Sequence, residues 1–125
     1  MFDIFLKTEQ TSSVLQLQGR FDHSARKTFF SAIKKAEEAQ PEQIILDLSG
    51  VRFIDSAPIG WIVSVFHRLR RQSQAVQLIL AGQQGWIDES LKSINLERLI
   101  PTVGSVEEAL VVPPSQNSSG QSSLS

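Results

Sequence analysis

The chain of 125 residues contains no cysteine. This absence excludes a disulfide framework, a catalytic thiol and metal sites built from cysteine. It favours a reducing compartment, and we expect the protein in the cytoplasm. The first ten residues contain acidic Asp3 and no basic segment, so they do not predict a signal peptide. No apolar stretch approaches the roughly 20 residues that span a bilayer, and no direct membrane insertion is expected.

The chain also lacks an excess of charge of one sign. Lys and Arg number 12, Asp and Glu number 13, and the formal net charge is −1. This balance gives no electrostatic reason to expect nucleic acid as a partner. A chain of this length with 41% hydrophobic residues can bury a hydrophobic core without disulfides or metal ions. Its length and composition predict one soluble globular domain.

The composition changes after Pro113 and Pro114. The last residues, SQNSSGQSSLS, are almost all small and polar, so they can bury little apolar surface. We therefore expect one folded domain over residues 1–112 and a disordered Ser-rich tail over residues 113–125.

Hydrophobic periodicity predicts alternating strands and helices along this domain. The predicted strands are a hairpin over 3–8 and 13–21, two buried strands over 43–48 and 75–81, and a short strand at Leu99 and Ile100. The predicted helices lie over 22–39, from Ser56 to about Arg71, over 87–94 before a left-handed Asn95, and after Ser105, whose capping box includes Glu108. This order, β-β-α-β-α-β-α-(β)-α, predicts an α/β fold: a mixed sheet of about four to five strands flanked by helices.

The stretch over residues 43–60, QIILDLSGVRFIDSAPIG, has the strongest functional signal. A buried strand leads through a short linker into Asp55 and Ser56, where a helix begins. Free backbone N–H groups and the positive end of the helix dipole favour a negative charge there, including a phosphate. Pro58 fits the first helical turn, whose N–H groups have no intrahelical partner. Ser56 is therefore a candidate for phosphorylation, and a simple N-cap role for Asp55 or Ser56 is the alternative.

A catalytic role for Ser56 has little support. A serine hydrolase needs a histidine base, and the chain has only His23 and His67. His67 lies farther along the same helix, roughly 16 Å away at 1.5 Å per residue, and no G-x-S-x-G elbow surrounds Ser56. We expect no enzymatic activity, and a hydrolase that uses Ser56 with His23 is the enzymatic alternative.

Cofactors and metals are not expected either. Asp22, Asp47 and Asp55 could converge at one end of the sheet, but their spacing resembles no dedicated metal site. Asp47 is interpreted as a polar residue at a strand end, and no phosphate loop indicates a nucleotide. Trp61 and Trp86 lie off the apolar stripes of their helices, so one of them could anchor a partner. A role in shielding the core edge is the alternative for both.

Several motifs, in this order, resemble the STAS domain family in its bacterial anti-sigma factor antagonist type. They are GRFD at 19–22, IILDLSGVRFIDSAPIG at 44–60, LAG at 80–82 and LERLIPTVGSVEEAL at 96–110. The resemblance covers residues 3–112. The chain departs from the family pattern at Pro58, where the family usually has glycine.

The resemblance implies a protein-binding switch. In the family, an anti-sigma factor that is also a serine kinase, of the histidine-kinase-like ATPase fold, phosphorylates the serine after the conserved aspartate. A metal-dependent serine phosphatase removes the phosphate, and the unmodified antagonist binds the anti-sigma factor and frees sigma. The phosphorylation site that the resemblance implies is Ser56, with Asp55 and Asp22 lining the surface around it. We expect the partner-binding surface to comprise Asp22, His23, Asp55, Ser56, Ala57, Pro58 and Trp61. The alternative function is a non-switching interaction or scaffold subunit, in a signalling complex or on a membrane transporter.

Overall fold

The structure is a computed structural model that describes residues 1–72, 74–83 and 85–111, without the side chain of Trp86. The strands are β1 (Phe2–Glu9), β2 (Ser12–Phe21), β3 (Gln43–Ile54), β4 (Gln77–Ala81) and β5 (Thr102–Val103). The α-helices are α1 (Arg26–Glu38), α2 (Ser56–Arg70), α3 (Gly85–Ser93), α4 (Leu96–Leu99) and α5 (Val106–Val111), and a 3-10 turn, His23–Ala25, precedes α1. The predicted disordered tail, residues 113–125, lies outside the described residues.

The five strands of the described residues form one mixed sheet in the order β1-β2-β3-β4-β5. β1 and β2 form the predicted antiparallel hairpin, whose turn contains Gln10 with a φ of 57°. β2 to β5 run parallel, as expected for strands that are connected through helices. The predicted α/β class, with a mixed sheet flanked by helices, is therefore confirmed.

Helices pack on both faces of the sheet. α1, α2, α3 and α4 contribute to the large apolar core on one face. The other face has a smaller cluster of buried residues: Val14, Ile45, Ile79, Ala81 and Ala109. Partly buried residues of α5 and β5 pack against this cluster. Val14 breaks the alternation of its strand in the sequence. It is nevertheless fully buried, because β2 is covered on both faces at this position.

The short linker expected before Asp55 is absent, because β3 continues to Ile54. β2 follows this extension through two register shifts, one between Gln16 and Gln18 and one between Gly19 and Arg20. Bulges of this kind interrupt the alternation of side chains along a strand. The end of β3 therefore has no regular pattern in the sequence, and for this reason the sequence alone indicates a linker there.

The short strand expected at Leu99 and Ile100 is also wrong in position. Leu99 ends α4, and the N–H of Ile100 donates to the carbonyl oxygen of Leu96 at 2.9 Å, which closes the helical turn. The strand follows Pro101 instead, and the N–H of Gly82 donates to the carbonyl oxygen of Val103 at 3.2 Å.

In the described residues, no helix combines the length and the apolar composition that crossing a membrane requires.

Gly19, the glycine of the GRFD motif, allows β1 to lie close to β2. Its φ is 98°, a region in which side-chain-bearing residues are strained. A Cβ at this position would also collide with the carbonyl oxygen of Met1. The N–H of the next residue, Arg20, donates to that same oxygen at 3.1 Å. The motif therefore holds the start of β1 against the end of β2.

Candidate functional site

The candidate site lies at the carboxyl ends of β2 and β3. Phe21 pairs with Ile54 in the sheet, so the residues that follow them, Asp22 and Asp55, leave the sheet side by side. The N–H of Asp55 donates to the carbonyl oxygen of Phe21 at 3.3 Å. Both aspartates have an extended backbone and cap the helical segment that follows. The sheet therefore places two capped helix starts next to each other.

Ser56 is exposed and is the first residue of α2. Oδ1 of Asp55 accepts the N–H of Ala57 at 3.3 Å, so the carboxylate satisfies one of the free N–H groups of the first turn. The sequence left the N-cap open between Asp55 and Ser56, and the structure assigns it to Asp55. The start of α2 is therefore formed without the hydroxyl of Ser56.

Pro58 is buried at the third position of α2. A proline costs no hydrogen bond there, because the N–H groups of a first turn have no intrahelical acceptor. Its ring fixes φ near −65°. Pro58 therefore restricts the backbone of the turn that presents Ser56.

Asp22 is held by three hydrogen bonds. Oδ1 accepts the N–H of Ser24 at 3.0 Å and its hydroxyl at 2.6 Å, and Oδ2 accepts Nε–H of Arg20 at 3.1 Å. The hydroxyl of Ser24 is the main cause that holds the pKa of Asp22 below its ordinary value, and the N–H of Ser24 and the guanidinium of Arg20 act in the same direction. Asp22 is therefore a fixed anion beside Asp55, while His23 is exposed in the following turn.

Replacing Ser24 with alanine is expected to raise the pKa of Asp22 toward the ordinary value of about 3.9, because the strongest donor to its carboxylate is lost. A lowered pKa in the folded state stabilises the fold at pH values above the unfolded pKa, and this contribution disappears as the pH falls through the folded pKa. The Ser24→Ala variant should therefore lose less stability on acidification than the wild type.

NMR titration of the Asp22 carboxyl carbon measures this pKa. Ser31→Ala, which removes another exposed hydroxyl in the middle of α1, is the control and should leave it unchanged. An Asp22 pKa that is identical in the wild type and in Ser24→Ala would contradict the expected role of Ser24.

Trp61 is half-buried and faces an aromatic cluster. Its ring centroid lies 6.0 Å from those of Phe21, Phe29 and Phe30. Five residues along a helix correspond to a rotation of about 140°, so Trp61 points toward α1 and away from the side of α2 on which Ser56 lies. Trp61 thus shields the edge of the core and keeps part of its surface exposed. The side chain of Trp86 lies outside the described residues.

Arg20 is a residue of this region that the sequence analysis missed. Besides its bond to Asp22, its guanidinium carbon lies 3.9 Å from the ring centroid of Phe53. A spacing of two residues places Arg20 and Asp22 on the same side of an extended segment, which is the signal that could have revealed the pair. The contact with Phe53 depends on the bulged pairing of β2 with β3 and has no local signal.

Asp47 does not reach the site. It lies within β3, opposite Ala81, and the eight residues to Asp55 span roughly 26 Å at 3.3 Å per residue. The interpretation of Asp47 as a strand-end residue is therefore wrong, because β3 continues beyond it. Oδ1 of Asp47 accepts the N–H of Ser49 at 3.0 Å. Across the described ranges, no three His, Asp or Glu side chains are grouped so that they could hold a metal ion.

The sequence over most of the folded part of the chain matches one known protein family. The model of the STAS domain family matches residues 5–109. The chain belongs to the STAS domain family. This confirms the resemblance inferred from the motifs. A comparison with curated protein sequences gives no match.

Solved structures with the same fold include anti-sigma factor antagonists and a transporter protein. An anti-sigma factor antagonist from Mycobacterium paratuberculosis has a TM-score of 0.79 and 16% identity, over 89% of this STAS chain and 92% of that chain. The Bacillus cell fate determinant SpoIIAA in its phosphorylated form has a TM-score of 0.64 and 21% identity, over 86% and 96%. A sulfate transporter family protein from Wolinella succinogenes has a TM-score of 0.70 and 15% identity, over 84% and 86%. At these identities the structures establish a shared STAS fold.

Proposed function

We propose that this STAS protein is an anti-sigma factor antagonist whose partner binding is controlled by phosphorylation of Ser56. The partner is a cytoplasmic anti-sigma factor that is also a serine kinase of the histidine-kinase-like ATPase fold. It binds the antagonist while Ser56 is unmodified and releases it after phosphorylation. A metal-dependent serine phosphatase restores the unmodified form. The antagonist acts by binding and performs no catalysis itself.

The position of Ser56 is the main support for this proposal. The residue is exposed at the start of a helix of 15 residues, and Asp55 makes the cap in its place. A kinase can therefore use the hydroxyl without opening the helix start. The likeness to an anti-sigma factor antagonist and to a Bacillus relative solved in a phosphorylated form also supports the proposal.

The charges around Ser56 support a switch that acts on the partner rather than on the fold. A phosphate adds about −1.5 to −2 charge near neutral pH. The start of α2 tolerates this charge because the positive end of the helix dipole lies there. Asp55 adjoins Ser56, and Asp22 beside it is paired with Arg20 at 3.1 Å, so a phosphate adds net negative charge to the surface that the partner would cover.

A pull-down from lysate of the native host tests the proposal. Ser56→Ala and Ser56→Asp serve as baits, and mass spectrometry quantifies the bound proteins. Ser64→Asp, which adds the same charge at an exposed position farther along α2, is the matched control. We expect a histidine-kinase-like ATPase on the Ser56→Ala and Ser64→Asp baits and its loss from the Ser56→Asp bait. Recovery of the same partners in equal amounts on all three baits would contradict control of binding by phosphorylation of Ser56.

A constitutive interaction or scaffold subunit is the second candidate function. Two observations favour it: Pro58 makes the loop around Ser56 stiff, and a sulfate transporter family protein has the same fold. If this second function is correct, the affinity of the partners does not depend on the charge at position 56. The pull-down therefore separates the two functions directly.

A further inference from the structure

β1 forms one edge of the sheet, with β2 as its neighbour. It is eight residues long, and most of its side chains are exposed. Phe5 is 52% exposed and Leu6 is 40% exposed, although both are large apolar residues. A long edge strand with exposed apolar side chains is a template for pairing with another strand.

The backbone of β1 determines which groups are available at this edge. Met1 accepts a hydrogen bond from Arg20 of β2, and the pairing continues in register to Glu9 opposite Ser12. Backbone groups alternate in direction along an antiparallel strand. The odd-numbered residues therefore point their N–H and C=O groups at β2. Those of Phe2, Ile4, Leu6 and Thr8 point to the open edge.

The side chains of β1 are self-complementary about Phe5. In an antiparallel pair of β1 strands with a two-fold axis at Phe5, Phe5 lies opposite its own copy and Asp3 lies opposite Lys7. Both charged residues are exposed and lie on the same face as Phe5. On the other face, Ile4 lies opposite Leu6. In this register, the backbone groups of Ile4 bond to those of Leu6, and the backbone groups of Phe2 bond to those of Thr8. These four residues are the ones whose backbone groups point to the open edge.

We propose that β1 is a homodimerisation edge, at which a second copy of this chain pairs antiparallel about Phe5. The two sheets then form one continuous sheet. The contact comprises two Asp3–Lys7 ion pairs, a Phe5–Phe5 pair between them and two Ile4–Leu6 pairs on the opposite face. Within one strand, Asp3 and Lys7 are about 13 Å apart at 3.3 Å per residue, so the ion pair between them forms only between copies. Lys7 also forms an ion pair with Glu9 of its own strand at 3.3 Å, and the two carboxylates would share its ammonium group in the dimer. The dimer does not depend on the state of Ser56.

Single cysteines test this register, because the natural chain has none. The full-length Phe5→Cys variant is expected to form a disulfide-linked dimer under oxidised glutathione, since opposed residues have Cα atoms within the roughly 4.4–6.8 Å that a disulfide requires. Asp3→Cys and Lys7→Cys, on the same strand and face, are the matched controls. Each alone should stay monomeric on a non-reducing gel, and a mixture of the two should form the linked dimer.

Exchanging the charges provides a test without covalent linkage. Asp3→Lys or Lys7→Asp alone turns both ion pairs into like-charge contacts, and we expect the dimer dissociation constant to rise about tenfold or more. The double variant Asp3→Lys/Lys7→Asp restores the pairs between copies but loses the ion pair of Lys7 with Glu9. We expect analytical ultracentrifugation to show a dimer dissociation constant that is lower than in either single variant and close to that of the wild type. Melting temperatures show that each variant is folded.

Three results would overturn the proposal. One is a wild-type chain that stays monomeric at the highest soluble concentration. Another is equal cross-linking of the Phe5→Cys, Asp3→Cys and Lys7→Cys variants when each is oxidised alone. The third is a double charge variant that dimerises no better than the single ones. Each of these outcomes concerns β1 alone, so none of them bears on the switch proposed at Ser56.

Discussion

Phosphorylation of Ser56 is expected to weaken binding of the anti-sigma partner about a thousandfold, which corresponds to about 4 kcal/mol, and to leave the melting temperature nearly unchanged. A partner that covers Ser56 removes the phosphate from water. An unpaired dianion in such an interface costs several kcal/mol. Asp55 lies next to Ser56 in the chain, so its carboxylate repels the added charge. Asp22, beside Asp55, repels it less, because it forms an ion pair with Arg20 at 3.1 Å.

The fold should tolerate the modification for a separate reason. Ser56 is exposed at the start of α2, and its hydroxyl is not the cap of that helix. The helix dipole there favours negative charge. The expected result is therefore a loss of affinity without a loss of stability.

Calorimetric titration of the isolated partner with the unmodified protein, the phosphorylated protein and Ser56→Asp measures this effect. Ser56→Asp has a smaller charge than phosphoserine, so we expect it to reproduce the effect only in part. Ser64→Asp should bind like the wild type and controls for added charge on α2. An unchanged affinity together with a markedly lower melting temperature would show that the phosphate acts on the fold instead.

Replacing Phe21 with alanine is expected to lower the free energy of unfolding by about 3–5 kcal/mol. The Phe21 ring is fully buried, and its centroid lies 4.7 Å from that of Phe2, 5.4 Å from that of Phe29 and 6.0 Å from that of Trp61. The cavity would lie between β1, α1 and α2, which cannot all close around it. A loss of this size is a large part of the 5–15 kcal/mol by which domains are typically stable.

Urea denaturation measures this loss. The protein concentration is kept low, so that association through β1 does not contribute to the free energy of unfolding. Phe5→Ala removes the same side chain from an exposed position, 52% accessible, and should change the free energy of unfolding by about 0.5 kcal/mol or less. A loss below about 1 kcal/mol in Phe21→Ala would mean that the surrounding rings collapse into the space.

Most of the order of the strands and helices, and most helix boundaries, could be predicted from the sequence, but the short helix α4 could not. These features depend on residues within one turn of each other. The start of α2 at Asp55 and Ser56 and the fit of Pro58 in the first turn follow from the sequence, whereas the choice of Asp55 as the cap follows from the structure. Asn95 has the predicted left-handed conformation, with a φ of 59°. The hydroxyl of Ser105 accepts the N–H of Glu108 at 3.2 Å, as a capping box requires.

The surroundings of Ser56 depended on the tertiary structure. The length of β3 follows from bulged pairing with β2, a strand more than 20 residues away in the chain. The same pairing brings Asp22 beside Asp55 and places Arg20 over Phe53. The short strand β5 lies where β4 offers it hydrogen bonds, and Val14 is buried because α5 covers its face of the sheet. Capping and periodicity act between neighbours in the chain and are visible in the sequence, whereas register, bulges and the covering of a sheet face are determined by contacts between distant segments.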